Sequence, residues 1–143
     1  MTVVSSASEE DTRRAGAELA RRLRPGDAVL LEGDLGAGKT VFVKGLAEGL
    51  GLDPDDVSSP SFALVHEYGP PGRPPVLLHA DLYRVAEGGG PVEDLGLDER
   101  GAAVLAVEWP RPPLASLRAW RVSIAFAEGG ARRIDVAAPE GGP

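Results

Sequence analysis

Short apolar runs, separated by turn-forming residues, recur along much of this chain. Nearly continuous apolar runs are typical of strands that are buried on both faces of a parallel sheet. Such runs lie at residues 28–31, 76–79 and 103–107, and the segment 62–68 also predicts a strand. Two further segments, 120–126 and 132–136, flank Glu128-Gly129-Gly130 and predict a closing β-hairpin.

Two other segments have apolar residues at helical spacing. The first follows Ser8 and Asp11, which resemble a capping box, and its inward positions are Thr12, Ala15, Gly16, Leu19 and Leu23. The second has Val43, Leu46, Ala47 and Leu50 on one face, and Gly51 is placed to close it in a left-handed cap. Because strands outnumber helices, we predict an α/β fold whose mixed sheet has a parallel centre, antiparallel edge strands and flanking helices.

Length and composition narrow the class of protein. With 143 residues the chain is expected to form one domain, 1–143, in which residues 137–143 are a frayed tail. A net charge of −7 argues against general nucleic-acid binding, so we expect no DNA partner. The absence of cysteine and of a long apolar segment predicts a cytoplasmic protein that does not engage a membrane.

The strongest chemical signal is a glycine-rich segment between the strand at 28–31 and the second helix. Its residues are Gly33, Asp34, Leu35, Gly36, Ala37, Gly38, Lys39 and Thr40, which fit the P-loop pattern G-x-x-x-x-G-K-[ST]. In such loops backbone N–H groups surround a phosphate, the lysine reaches the β- and γ-phosphates, and the hydroxyl binds Mg²⁺. The segment therefore predicts nucleotide binding, and because no Asn-Lys-x-Asp element is present to read guanine, we favour ATP.

A P-loop also needs an acidic residue at the end of a neighbouring strand. Asp81 and Glu108 both follow apolar runs; we favour Glu108 for the metal and Asp81 for the attacking water, although the two roles remain interchangeable at this stage. The neighbouring rings of Tyr83 and Trp109 either stack on the base or pack in the fold. The two histidines, His66 and His79, are too few for a metal site of their own, and we interpret both as packing residues.

Several motifs in one order resemble the bacterial tRNA threonylcarbamoyladenosine biosynthesis ATPase family TsaE, also called YjeE. The motifs are Gly33 to Thr40, Ser59-Pro60-Ser61-Phe62 with Glu67-Tyr68, His79-Ala80-Asp81-Leu82-Tyr83-Arg84, Glu93 to Gly96, and Val107-Glu108-Trp109-Pro110. The P-loop alone would be generic, whereas its combination with His-x-Asp-Leu-Tyr-Arg and Glu-Trp-Pro is specific. The resemblance covers roughly residues 6–136.

The resemblance implies an ATPase that supports the N6-threonylcarbamoyl modification of adenosine 37 in tRNAs that read codons beginning with A. It implies TsaD and TsaB as partners, with tRNA reached only through the complex. It places Thr40 and Glu108 at Mg²⁺, Asp81 in hydrolysis, and a switch-like loop at Ser59-Pro60-Ser61. It also implies that Glu9 and Arg132 approach the nucleotide from the two ends of the chain.

Two other functions remain open from the residues alone. A small-molecule kinase would need an arginine-rich lid, for which the chain offers only short or acidic segments. A nucleotide-sensing scaffold would bind ATP without turnover. We also expect slow hydrolysis by the isolated chain, because no arginine is clearly aimed at the γ-phosphate and Arg84 is the nearest candidate by sequence position.

Overall fold

The apolar runs form strands of a single sheet in the computed structural model, which describes residues 2–34, 36–60, 65–83, 97, 100–110 and 117–139. The strands are β1 Thr2–Ser6, β2 Ala28–Gly33, β3 Val65–Tyr68, β4 Leu77–Asp81, β5 Val104–Glu108, β6 Trp120–Phe126 and β7 Arg132–Ala137. The helices are α1 Glu9–Ala20 and α2 Lys39–Gly49, with 3₁₀ turns at Pro54–Asp56 and Glu128–Gly130. None of the helices in these described ranges is long and apolar enough to cross a membrane.

The strand order is β1-β7-β6-β2-β5-β4-β3. Strand β2 runs parallel to both β5 and β6, and β4 runs parallel to β5. The pairs β1–β7, β6–β7 and β3–β4 are antiparallel. The predicted mixed sheet, with a parallel centre and antiparallel edges, is therefore confirmed.

Two apolar layers cover the parallel centre, one on each face. On the helix side, side chains of β2, β4 and β5 pack against Phe42, Val43 and Leu46 of α2. On the other side, Leu30 and Leu105 belong to a second cluster. Because successive side chains of a strand alternate between faces, every second residue of β4 and β5 faces α2, and this series ends at Asp81 and Glu108.

The two helices approach each other closely through glycine. A Cβ on Gly45 of α2 would collide with the backbone oxygen of Arg13, and one on Gly16 of α1 would collide with that of Phe42. Ser8 caps α1 as predicted, since its side chain accepts a hydrogen bond from the N–H of Asp11 at 3.1 Å. This contact between the helices places the start of α1 beside the glycine-rich loop that precedes α2.

The structure differs from the sequence prediction mainly at the ends of the chain. The N-terminal strand β1 was not predicted because its residues are mostly exposed and lack an apolar run; Val3 retains 53% of its surface. Strand β7 continues through Ala137, which pairs with Arg121, so Ala137 belongs to the last strand and not to the predicted tail. Strand β3 covers only the end of the predicted segment 62–68, whose first part, like residues 140–143, lies outside the described residues.

Candidate functional site: a phosphate loop and two strand-end carboxylates

The glycine-rich segment connects the end of β2 to the start of α2, as its pattern predicts. Gly36 and Gly38 have φ angles of +77° and +117°, a region that L side chains rarely adopt. A Cβ on Gly33 would collide with the backbone of Ile124 on the neighbouring strand. The loop therefore needs glycine at these positions for conformation and space, and it opens directly onto the N-terminus of α2; Leu35 lies outside the described residues.

Lys39 folds back into this loop. Its Nζ donates to the backbone oxygens of Gly33 at 2.5 Å and Asp34 at 2.9 Å, and only 5% of the residue is exposed. Burial lowers the pKa of Lys39, while the negative charges of Glu108, Asp81 and Asp34 act in the opposite direction. The loop thus holds a cation at the position where a phosphate would be bound.

The two candidate carboxylates lie side by side. Asp81 and Glu108 are register partners at the ends of β4 and β5, and both are buried. Burial is the main cause that raises the pKa of Asp81, whose Oδ1 accepts a hydrogen bond from the N–H of Tyr83 at 3.0 Å. The tertiary structure therefore brings together Lys39 and two acids that are 42 and 69 positions away in sequence.

Thr40 and Glu108 form the part of the site that could hold a metal ion. The Thr40 hydroxyl donates to Glu108 Oε2 at 2.9 Å, so its proton points toward the carboxylate and its lone pairs are left for a cation. No group of three His, Asp or Glu residues in the described ranges could form a metal site without other ligands. A hydroxyl beside one carboxylate fits Mg²⁺ that is held largely by phosphates and water.

Trp109 covers the side of the loop where the Lys39 ammonium lies. Its ring lies over the Lys39 ammonium, with Nζ 4.2 Å from the ring centroid, and packs against Tyr83 at a centroid distance of 4.9 Å. Its φ of +59° makes it the one non-glycine residue with positive φ in the described ranges, a strained conformation for a bulky residue. The two rings thus pack together beside the ammonium of Lys39.

A groove of about 130 Å³ lies on another side of the loop. Its lining residues come from the start of the chain, the loop and the last hairpin, and include Glu9, Gly38, Val41, Gly130 and Arg132. The Nε of Arg132 donates to the backbone oxygen of Ala37 at 3.1 Å. Glu9 and Arg132, from opposite ends of the chain, therefore meet beside the phosphate loop.

The pairing of β1 with β7 explains how the two ends meet. Ser6 is the register partner of Arg132, and its buried hydroxyl lies 2.7 Å from that of Thr12 in α1. These two hydroxyls join strand β1 to helix α1 at the wall of the groove. The sequence reasoning missed Ser6 because it did not recognise β1, and it interpreted Thr12 only as a position on the inward face of a helix.

His79 is the main site residue that the sequence prediction interpreted differently. Its side chain is fully buried, and its Nε2 lies 2.5 Å from Glu108 Oε2, so it is part of the carboxylate cluster as well as of the core. Its position two residues before Asp81, on the same face of one strand, was a signal that could have placed it there. The switch residue Ser61 and the arginine candidate Arg84 lie outside the described residues.

Comparison with known protein families and structures gives consistent matches. A sequence model of the family described as "Threonylcarbamoyl adenosine biosynthesis protein TsaE" matches residues 6–134. The solved structure of YdiB from Bacillus subtilis superposes with a TM-score of 0.71 at 32% identity, covering 96% of this chain and 85% of that one. The family model extends over the glycine-rich loop, both strand-end acids and the last hairpin as far as Ile134.

Curated relatives give the same result. The chain is similar to proteins named tRNA threonylcarbamoyladenosine biosynthesis protein TsaE from Bacillus subtilis, at 45% identity over 106 residues, and from Treponema pallidum, at 40% over 139 residues. The matches cover 73% and 92% of this chain. They span 63% of the Bacillus protein but 97% of the Treponema protein.

Proposed function

The chain belongs to the TsaE family of threonylcarbamoyl adenosine biosynthesis proteins, and on this premise we propose that it binds ATP with Mg²⁺ and hydrolyses it. The hydrolysis would support formation of N6-threonylcarbamoyladenosine at position 37 of tRNAs that read codons beginning with A. The observation that carries the proposal is the convergence of Lys39, Thr40, Asp81 and Glu108 on one phosphate loop.

Binding of the polyphosphate follows from the loop. Backbone N–H groups between Gly36 and Thr40, together with the N-terminus of α2, attract a phosphate, and Lys39 supplies a buried cation. The Lys39 ammonium now donates to two backbone oxygens, so it can exchange them for phosphate oxygens without leaving the loop. Mg²⁺, when bound, would neutralise charge on the β- and γ-phosphates beside Thr40.

Each acid has one role in the proposed mechanism. Glu108 accepts a hydrogen bond from the Thr40 hydroxyl, which suits the carboxylate that fixes the metal-binding hydroxyl. Asp81 is the neighbouring carboxylate, and we assign it to accept a hydrogen bond from the attacking water. A phosphoryl-transfer site acts mainly by positioning and charge stabilisation, and this arrangement provides both.

The groove beside the loop suits the nucleoside. Its walls combine the carboxylate of Glu9, the guanidinium of Arg132 and the apolar Val41, which offers polar contacts around a small apolar surface. We place the ribose and adenine there, and we assign Trp109 to cover the phosphates because it lies against Lys39.

We further propose that TsaD and TsaB complete the site, with tRNA reached through that complex. Arg132 contacts the loop on the groove side, at Ala37. The family resemblance supports these partners, and the loose transition state of phosphoryl transfer gains about 10³- to 10⁵-fold in rate from an arginine that a partner supplies. The isolated chain should therefore hydrolyse ATP slowly.

The deciding experiment follows γ-labelled ATP with the purified chain, with and without TsaD and TsaB. Release of free phosphate that accelerates with the partners supports the proposal. Label transferred to a small metabolite would instead show a kinase, and tight binding without turnover in either mixture would show a nucleotide sensor. Lys39→Ala is the matched control, since it should abolish whichever activity appears.

A further inference from the structure

A buried imidazole contacts the metal-side carboxylate. His79 lies in the middle of β4 with 0% of its surface exposed, and its Nε2 is 2.5 Å from Glu108 Oε2. The same oxygen accepts a hydrogen bond from the Thr40 hydroxyl, with 2.9 Å between the two oxygens. One carboxylate oxygen therefore joins a strand side chain to a phosphate-loop side chain, and Glu108 Oε1 takes part in neither bond.

The partners of the ring indicate which nitrogen donates. Because a carboxylate oxygen accepts hydrogen bonds, the Nε2–H of His79 is the donor to Glu108. The other nitrogen, Nδ1, is buried and has no hydrogen-bond partner among the described residues. A tautomer with its proton on Nδ1 would leave that buried N–H without an acceptor and turn the Nε2 lone pair toward Glu108, so the arrangement favours the tautomer with its proton on Nε2.

Packing alone does not explain a histidine at this position. His79 occupies a fully buried position of β4, where an apolar side chain of similar size would avoid the cost of burying an unpaired nitrogen. Leu77, on the same face of β4 and equally buried, shows what the core uses where no carboxylate is adjacent. The histidine therefore has a use that leucine cannot supply, namely the hydrogen bond to Glu108.

We propose that His79 is a positioning residue for the divalent-cation site: its Nε2–H fixes the rotation of Glu108, which in turn directs the Thr40 hydroxyl proton away from the cation. This inference rests on the proposed function. Without the bond, Glu108 is free to rotate, the Thr40 hydroxyl loses its fixed orientation, and the cation site loses preorganisation. Groups that orient metal ligands in this way typically account for about 10- to 100-fold in metal affinity.

The test measures nucleotide binding, so it does not depend on turnover. Affinity for a non-hydrolysable ATP analogue is measured by calorimetry over a range of Mg²⁺ concentrations and in chelator. The Mg²⁺ midpoint is the Mg²⁺ concentration that gives half of the Mg²⁺-dependent gain in nucleotide affinity. His79→Leu should raise this midpoint by about 10- to 100-fold and leave nucleotide affinity in chelator within about twofold of the wild type. His79→Gln, whose amide can donate in place of Nε2, should recover most of the wild-type Mg²⁺ dependence.

The matched control is Leu77→Ala, which disturbs the same face of β4 without removing the bond to Glu108. It should lower thermal stability and leave the Mg²⁺ midpoint unchanged. The tautomer is tested separately by ¹⁵N NMR of the wild-type imidazole, which should show the proton on Nε2. If His79→Leu does not fold, His79→Asn replaces it, since its shorter amide cannot reach Glu108 in the same geometry.

The outcomes separate this inference from the proposed function. If wild-type affinity does not depend on Mg²⁺, the metal role in the proposed function fails. If the wild type responds to Mg²⁺ but His79→Leu, or His79→Asn in its place, has the same midpoint, the positioning role is overturned. The role is also overturned if Leu77→Ala shifts the midpoint as much as the His79 variants do, because the effect would then be general loss of packing.

Discussion

The sheet buries polar residues in one half and exposes them in the other. We call the half that contains β4 and β5 the parallel half, and the half made of β1, β6 and β7 the antiparallel half. In the parallel half, β4 and β5 are buried along their whole lengths, yet they carry His79, Asp81 and Glu108. In the antiparallel half, β1, β6 and β7 expose most residues of one face, and a charged pair such as Arg133–Asp135 lies in solvent contact. Both halves contain charged residues, but most of these residues are buried only in the parallel half.

This difference in burial determines how strongly polar groups interact in each half. An exposed ion pair such as Arg133–Asp135 contributes about 0–1 kcal/mol because water screens it. The cluster of Thr40, Glu108 and His79 lies where the local dielectric is low, so its hydrogen bonds are stronger and unpaired groups are costly. Changes in the parallel half should therefore affect function far more than matched changes in the antiparallel half.

The largest effect should follow from removing the buried cation. Lys39→Ala deletes the charged donor that would bond the phosphates, and two charged hydrogen bonds at about 1.5–3 kcal/mol each predict at least about a 100-fold loss of ATP affinity. The fold should remain, because the core that packs against α2 is made of apolar side chains. Calorimetry and circular dichroism measure the two quantities, and unchanged ATP affinity would refute the assignment of this loop.

Core truncations test the burial difference directly. Leu105→Ala, in fully buried β5, should lower the free energy of unfolding by about 2–5 kcal/mol through lost contacts and a residual cavity. Val3→Ala, in exposed β1, should change it by about 0.5 kcal/mol or less. Urea denaturation of both variants measures the two losses in the free energy of unfolding. Equal losses would contradict the difference in burial between the two halves.

Substitutions of buried and exposed carboxylates test whether the buried position of an acid, and not its charge alone, determines its effect on turnover. Glu108→Gln should slow Mg²⁺-dependent turnover by about 100-fold while keeping nucleotide affinity in chelator, because the amide keeps the shape but loses the charge. Asp81→Asn should also slow turnover. Asp135→Asn, an exposed acid of the antiparallel half, is the control and should leave the rate unchanged. Full turnover in both site variants would show that another carboxylate serves.

The smallest effect is expected in the nucleoside groove. Arg132→Ala removes the hydrogen bond to Ala37, two bonds within the adjacent turn and part of the groove wall, so ATP affinity should fall by about two- to tenfold. Its neighbour Arg133 points to the exposed face and pairs with Asp135, so Arg133→Ala should have no effect. Equal losses of affinity in the two variants, measured by nucleotide titration, would indicate a nonspecific charge effect and contradict the assignment of Arg132 as a nucleotide contact.

Local chemistry made the parallel half predictable from sequence. Continuous apolar runs identified β2, β4 and β5, and the glycine pattern located the phosphate loop because only glycine adopts its backbone angles without strain. Strand ends identified Asp81 and Glu108 as candidates, since the ends of neighbouring parallel strands meet at one edge. The antiparallel half was less visible, because exposed β1 has no apolar pattern to detect.

The contacts among distant residues were decided by the tertiary structure. Sequence alone placed the P-loop, the acids and the helix cap, because each depends on neighbours along the chain or on burial of a short run. The contacts of His79 with Glu108 and of Arg132 with Ala37 join segments 29 and 95 positions apart, so they depend on strand order and register. A one-residue slip in register would move these side chains to the opposite face of the sheet, so a local pattern could suggest the face of His79 but could not identify its partner on β5.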